Sequence, residues 1–550
     1  MKRVKVISLV LIGALLALAP AVYGQRKGEK TSAAAPAPAH GNADYISAQQ
    51  LKDYLAFIAS DEMEGRDTPS RGLDVAARFI AAHLSRWGLK PAGDDGSYFQ
   101  RIALTQNKID STLSYVEING QRFNFGEDFL AGLTAGAANG PLVYAGHGWV
   151  IKANSIDAFQ GLDVKDKIVI VNSGGPPKGM NFNELKGKQG EDWETPVNAA
   201  RKRGAKGVIF VPNFQSLANW DRNRQTLVER GFSSVDKFQT QNNAPFPTIT
   251  ASPKLLNASF QGEKQNAAVV FNRSAANDPV EPFEFKADKK ASFTVALKTA
   301  PAITQNVIAV LEGSDPVLKN EYVAIGAHYD HVGVGAPVNG DAIYNGADDD
   351  GSGTVATLAL AEAFARGPRP KRSILFIWHA GEERGLWGSR YFTESPTVPI
   401  GQIITQLNID MIGRTRKEND RPANQSLLKP GEVYLIGSKL MSAELGELSE
   451  SVNKSYLNLA FNYKYDDPQD PERFFYRSDH YNYARKGIPI IFYFSGVHED
   501  YHRPSDSVEK IDYQNMEKIT RAIYATAWEL ANRATRPRVD KPLPAEGSGN

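Results

Sequence analysis

Between residues 321 and 389 the chain alternates apolar runs with acidic loops, and this constrains the fold more than any other feature. EYVAIGAHYDHVG carries an apolar strand into His328 and Asp330. NGADDDGSGTVATLALAEAF opens a helix behind three aspartates, and KRSILFIWHAGEERGLWGS carries a second strand into Glu382 and Glu383. Strand, acidic loop, helix, strand, acidic loop is the βαβ order of a mostly parallel sheet. Open sheets of that kind place ligands at the carboxyl ends of their strands, where these polar residues fall. The expected fold is α/β, a mostly parallel mixed sheet flanked by helices.

The N-terminus reads as an export signal. Lys2, Arg3 and Lys5 precede an apolar run from Val6 to Val22 that contains Pro20, and Gly24 follows as a small residue at a cleavage point. Residues 1–24 are therefore taken as a signal peptide, which places the mature protein in the periplasm or outside the cell. The alternative is a membrane anchor, for which the run is near the lower limit of ~17 residues. No cysteine follows, so the leader is not of the lipoprotein kind. Residues 25–43, small, polar and punctuated by proline, read as a disordered linker.

Charge and cysteine content exclude several functions. The 63 Lys and Arg face 62 Asp and Glu, and without the three basic residues of the leader the balance is 60 to 62. Such a chain has no field that draws in nucleic acid or holds it stably on an anionic membrane. With no cysteine in 550 residues there is no disulfide framework, thiol nucleophile or thiolate metal site. A serine nucleophile in a G-x-S-x-G elbow is also missing from the sequence.

Texture divides the rest. Helical periodicity in AQQLKDYLAFIAS and LDVAARFIAAHLSRWGLKP is followed, from about residue 110 to 290, by short strands set between Gly, Asn and Pro. Past 295 the strand and helix alternation returns and closes with the amphipathic YQNMEKITRAIYATAWELANRA. This assigns residues 44–115 and 292–535 to one discontinuous domain, 116–291 to an insert and 536–550 to a polar tail. His40 and His147 have no ligand-like neighbours and read as structural or incidental, and His83, alone in its helix, reads as surface or core filler.

The candidate site is a set of five ligand-type residues. His328 ends one strand, Asp349 stands before a helix, Glu383 and Asp410 (in NIDMIG) end two further strands, and His502 (in EDYHRPSD) follows the last one. Two histidines and three carboxylates on one rim suit two divalent ions with mixed N and O ligands, zinc best. Two zinc ions bring four positive charges against three ligand carboxylates, which a bridging hydroxide balances. Asp330, two residues beyond His328, suits a carboxylate that fixes the tautomer of that histidine. The string His498 to His502 is formally H-E-x-x-H, but Gly496 before it and Pro504 after it leave no room for the helix that this chemistry needs. His331, His379 and His480 lie near the site without an assigned ligand role.

Taken together, HYD, GADDDGSG, GEERGLWGS, NIDMIGR and YHRPSD resemble the M28 family of co-catalytic zinc peptidases, over about 45–110 and 295–530. That resemblance implies a zinc-exopeptidase fold and two zinc ions per chain, with His328 and Asp410 on one, Glu383 and His502 on the other, and Asp349 bridging. It implies Glu382 as the proton-transferring base, with Asp330 supporting His328, and a cis peptide after Asp349. By the same resemblance Tyr501 stabilises the oxyanion, and Arg477 and Phe494 contact the substrate. The segments LVYAGHGWV, GLDVKDKIVIV and AARKRGAKGVIFV look like a protease-associated (PA) insert, a small α/β domain. The implied activity is a secreted aminopeptidase acting on peptides. A carboxypeptidase or glutaminyl cyclase-like enzyme on the same fold, or a non-catalytic binding protein, are the alternatives.

Overall fold

In the computed structural model residues 40–543 are described, apart from 181, 240–244, 277 and 468. The leader assigned to residues 1–24 lies outside the described residues, as does most of the linker assigned to 25–43. Among the described residues no helix is long and apolar enough to cross a membrane.

A ten-stranded mixed sheet forms the centre. Nine of its strands are β1 (Phe99–Ile109), β2 (Phe232–Val235), β3 (Leu297–Leu311), β4 (Tyr322–His328), β5 (Ser373–His379), β6 (Ile403–Ile409), β7 (Glu432–Ile436), β8 (Ala460–Asn462) and β9 (Ile490–Phe494), and Lys90–Pro91 pairs with β3 as the tenth. Their spatial order is β2-β1-β3-β5-β4-β6-β9-β7-β8. β5, β4, β6 and β9 are mutually parallel, and the register sets His328 beside His379 at the carboxyl edge.

Alternation builds a core on both faces of these strands. Val323, Ile325, Ile374, Phe376, Leu407, Ile409 and Ile491 pack to one side, and Ala324, Leu375, Ile377, Ile490 and Phe492 pack to the other. Successive strand residues point to opposite faces, so continuous apolar runs such as SILFIW require cover on both. The first face is covered by α1 (Ala48–Ile58), α2 (Arg71–Arg86), α3 (Gly353–Arg366) and α4 (Tyr513–Asn532). Ser47, Ser70 and Asp512 cap α1, α2 and α4 by accepting from the backbone N–H three residues on. His83 in α2 packs against Tyr54, Phe79 and Trp87 and is structural, as expected.

A second sheet of nine strands lies within residues 115–295. Its centre, strands Gly136–Tyr144, Ile168–Asn172, Gly207–Val211 and Thr248–Ala251, is parallel. The long β1 and β3 pair over eleven positions and lead from one sheet to the other, where the Asp110 amide bonds to the Ala296 carbonyl.

Three boundaries differ from the sequence reading. β2 comes from the middle of the segment assigned to the insert, yet pairs with β1 at the edge of the central sheet. Four residues that run from exposed Phe232 through half-buried Ser233 and Ser234 to buried Val235 give no local signal for that long-range pairing. At the N-terminal side, packing begins before residue 44, where the linker was expected to end: Asn42 donates to the Ala363 carbonyl, and His40 stacks on Tyr456. The start of the tail assigned to 536–550 is docked as well, through Arg536 to Glu321 and the amides of Asp540 and Lys541 to the Met441 carbonyl.

Candidate metal centre

The site sits at the carboxyl edge of β5, β4, β6 and β9. His328 ends β4 and Asp410 directly follows β6, while Asp349, Glu383 and His502 come from loops beyond β4, β5 and β9 at the same edge.

His328 is 1 % exposed, and its Nε2 lies 3.3 Å from Asp349 Oδ1 and 3.7 Å from Asp410 Oδ2. Its Nδ1 is 3.2 Å from the backbone carbonyl of Asp330 and 3.8 Å from the Asp330 carboxylate. The Asp330 carbonyl is thus the nearer partner of the ring, with the carboxylate beside it. That carboxylate also accepts the Glu382 amide at 3.2 Å, which ties the His328 loop to the Glu382 loop.

The three aspartates divide three tasks. Asp348 accepts the Gly413 amide and faces His498 at 3.2 Å. Asp350 accepts the amides of Gly353, at the start of α3, and of Met411. Asp349 alone turns both oxygens to the site, Oδ1 to His328 and Oδ2 to His502 Nε2 at 3.1 Å. The peptide after it is cis. Asp506 accepts the amides of both Asp348 and Asp349 and so holds the loop from behind.

Glu383 Oε2 lies 3.1 Å from His502 Nε2. Two donor groups result: His328, Asp349 and Asp410, and His331, Asp349, Glu383 and His502, with Asp349 common to both. His502 Nε2, His331 Nδ1 and Glu383 Oε1 are buried atoms with no hydrogen bond to a described residue. Buried polar atoms of that kind need a partner. A mixed N and O donor set converging at this spacing fits zinc.

Glu382 reaches the group from the side, its Oε2 3.9 Å from His328 Nε2. Burial, together with Glu383, Asp410 and Asp479, pushes its carboxyl well above the usual range and outweighs the lowering by His328. Tyr501 stacks on His502, and burial with Asp349 and Glu383 raises its phenol. A pocket of about 50 Å³ opens beside these groups, lined by His328, Asp349, Glu382, Asp410 and Tyr501 on its polar side. Met411, Phe474, Phe492, Phe494 and Val497 form its apolar walls, and Arg477 and Ser478 complete the lining. Arg477 lies over the Phe474 ring, whereas Asp479, two residues on, faces His379 at 3.3 Å.

The H-E-x-x-H string is not helical. His498 turns to Asp348 while His502, at φ +55°, turns to the metal groups. His379 and His480 are structural: the first bonds Tyr483 Oη, and the second the Phe475 carbonyl. His331, which sequence reasoning left without a role, enters the second donor group. Sequence reasoning also missed Arg66 and Ser478. Arg66 is fully buried and donates to the carbonyls of Ile58, Tyr329, Asn345 and Gly346, and Ser478 donates to Asp410 Oδ2 at 2.7 Å.

With this geometry in place, comparison with known proteins is direct. Residues 306–527 match the family described as peptidase family M28. A probable zinc metalloprotease of Pyrenophora teres f. teres is 27 % identical over 386 residues, 63 % of this chain and 76 % of that one. Leucine aminopeptidase 2 of Trichophyton rubrum is 27 % identical over 266 residues, 43 % of this chain. This chain spans about half, 48 %, of that protein's length. Among solved structures, the aminopeptidase from Aneurinibacillus sp. strain AM-1 superposes with a TM-score of 0.53 at 18 % identity, covering 92 % of this chain and 98 % of that one. BSAP, a zinc aminopeptidase from Bacillus subtilis, gives 0.50 at 17 %, covering 90 % and 98 %. These two structures carry the likeness of fold.

Proposed function

We propose that this metallo-aminopeptidase of the M28 type is an exported enzyme that removes N-terminal residues from peptides with two zinc ions per chain. The observation that carries the reading is the convergence of two donor groups on Asp349 with Glu382 beside them. His328 and Asp410 would hold one zinc, Glu383 and His502 the other, and Asp349 both. Bound there, zinc supplies Lewis-acid polarisation of the scissile carbonyl and a water of lowered pKa.

The chain's own groups supply the rest. Glu382, with its raised proton affinity, takes the proton from the attacking water at a carboxylate oxygen and passes it to the leaving amine. Tyr501 keeps its proton, since its surroundings raise the phenol, and donates its O–H to the carbonyl oxygen as negative charge develops. Asp330 positions Glu382 through the Glu382 amide. The walls of Met411, Phe474, Phe492, Phe494 and Val497 accept an apolar first side chain, and Arg477, also lining the pocket, contacts the substrate. A pocket this short holds one side chain, which favours removal of single terminal residues.

Export rests on the leader pattern of residues 1–24, and the partners are peptides, with no nucleic acid and no stable membrane association after the leader is removed. The sheet within 115–295 is assigned as a PA-like insert on its parallel centre and on the three sequence segments that carry the likeness.

The test is amino-acid release from short peptides with free, acetylated or amidated ends. Cleavage that requires a free N-terminus is the expected result. Cleavage that requires a free C-terminus would make the enzyme a carboxypeptidase, and no cleavage by zinc-loaded protein would remove the assignment.

A further inference from the structure

We propose that His331 is a direct ligand of the second zinc through Nδ1, so that this position has four protein donors and the first has three. The inference rests on the two-metal reading above and adds a residue to it.

The geometry points there in three ways. First, His331 is fully buried, and its Nδ1 lies 2.8 Å from Glu383 Oε1 without forming a hydrogen bond to it. A bare imidazole nitrogen and a carboxylate oxygen at that separation repel one another unless a proton or a cation lies between them, and a cation is the one of the two that also serves Asp349 and His502. Second, the spacings are those of a coordination shell. Donors at the corners of a tetrahedral zinc with 2.0–2.1 Å bonds lie about 3.3 Å apart. Around this position they are 2.8 Å (His331 to Glu383), 3.1 Å (His502 to Glu383), 3.1 Å (His502 to Asp349) and 3.7 Å (His331 to Asp349). Third, the ring is held in place by the backbone. The His331 amide bonds to the Arg66 carbonyl at 3.1 Å. Gly346 passes so close that a Cβ there would stand 2.5 Å from His331 Cδ2, and with φ at +57° it favours glycine twice over.

The consequence is an asymmetric pair. Four protein donors make a closed position, and three leave room for water and substrate. The open position belongs to His328, Asp349 and Asp410, the side on which Glu382 stands. The second ion then acts as the anchor and is the harder of the two to strip.

Zinc-edge X-ray absorption on the wild-type enzyme loaded with zinc counts imidazole ligands. The proposal expects three histidines over two ions, about 1.5 per zinc, whereas a site without His331 gives about 1. His331→Ala should lower that count to about 1 and weaken one of the two zinc ions by more than about 100-fold in chelator competition, beyond the 10- to 100-fold of residues that only orient a ligand. A wild-type count of about 1, or a loss below about 100-fold in a folded variant, overturns it. The wild-type spectrum decides the matter even where the variant fails to fold. Protein that takes up fewer than two zinc ions would instead refute the two-metal reading, so the two failures are distinguishable.

Discussion

Arg66→Met is expected to destabilise the protein by about 4–6 kcal/mol. The guanidinium is fully buried, and four of its N–H groups meet carbonyl oxygens: Nη1 reaches Ile58 and Asn345 at 2.7 Å, Nε reaches Tyr329 at 2.9 Å, and Nη2 reaches Gly346 at 3.0 Å. These carbonyls belong to the end of α1, the loop between His328 and Asp330, and the loop that precedes Asp349. One side chain thus clamps both loops that carry first-position ligands. A buried acceptor left without a donor costs about 1–3 kcal/mol. Four at the low end of that range give about 4 kcal/mol, and water entering the space left by the guanidinium keeps the sum from the high end. Removal of the charge adds to the loss, because Asp330, Asp350, Asp349 and Asp506 surround a cation whose own burial lowers its pKa. Arg66→Lys keeps the charge but cannot span four acceptors in two directions, so it should recover less than half of the loss. Urea unfolding of metal-free and zinc-loaded protein measures both variants. A loss below about 2 kcal/mol for Arg66→Met would refute the clamp, since at most one of the four bonds is then under load.

Three further outcomes follow from the same geometry. Glu382→Gln should lower kcat by at least about 10² with zinc content unchanged, read by peptide cleavage and metal analysis side by side. Ser478→Ala removes the 2.7 Å donor to Asp410 and should weaken zinc at the first position by about 10- to 100-fold in chelator competition. His480 is buried against Phe492, and burial lowers its pKa to about 4. Its neutral form is the folded one, so its stability contribution is complete above the unfolded value of about 6.5 and is lost as pH falls through about 4, by about 3 kcal/mol. His480→Gln should flatten unfolding free energy against pH in that window, and an unchanged slope would place the acid sensitivity elsewhere.

How far the site was legible in the sequence depends on whether each residue carries a local signal. His328 ends an apolar strand and Asp410 directly follows one, so strand periodicity places them at one edge of a parallel sheet before any contact is known, whereas Glu383, four residues past His379, is placed by the resemblance that GEERGLWGS carries. Among the three aspartates the resemblance implies Asp349 as the bridge, and Asp348 and Asp350 prove to serve Gly413 and the start of α3. His331 was left aside because it lies three residues past the strand end, where the chain turns and periodicity no longer fixes direction. Arg66 was invisible: DEMEGR gives no pattern, and its four partners lie up to 280 residues away. The strand Phe232–Val235 was missed for the same reason, since its pairing with β1 is set by tertiary position and not by its own alternation. That the carbonyl of Asp330 lies nearer to His328 Nδ1 than its carboxylate does is a backbone detail that side-chain chemistry cannot signal.

The most direct test of the central claim is stepwise return of zinc to chelated protein while hydrolysis of a peptide with a free N-terminus is followed. The account predicts negligible activity in the stripped protein and full activity only at two zinc ions per chain. Full activity at one equivalent, or activity that persists after both ions are removed, would contradict it.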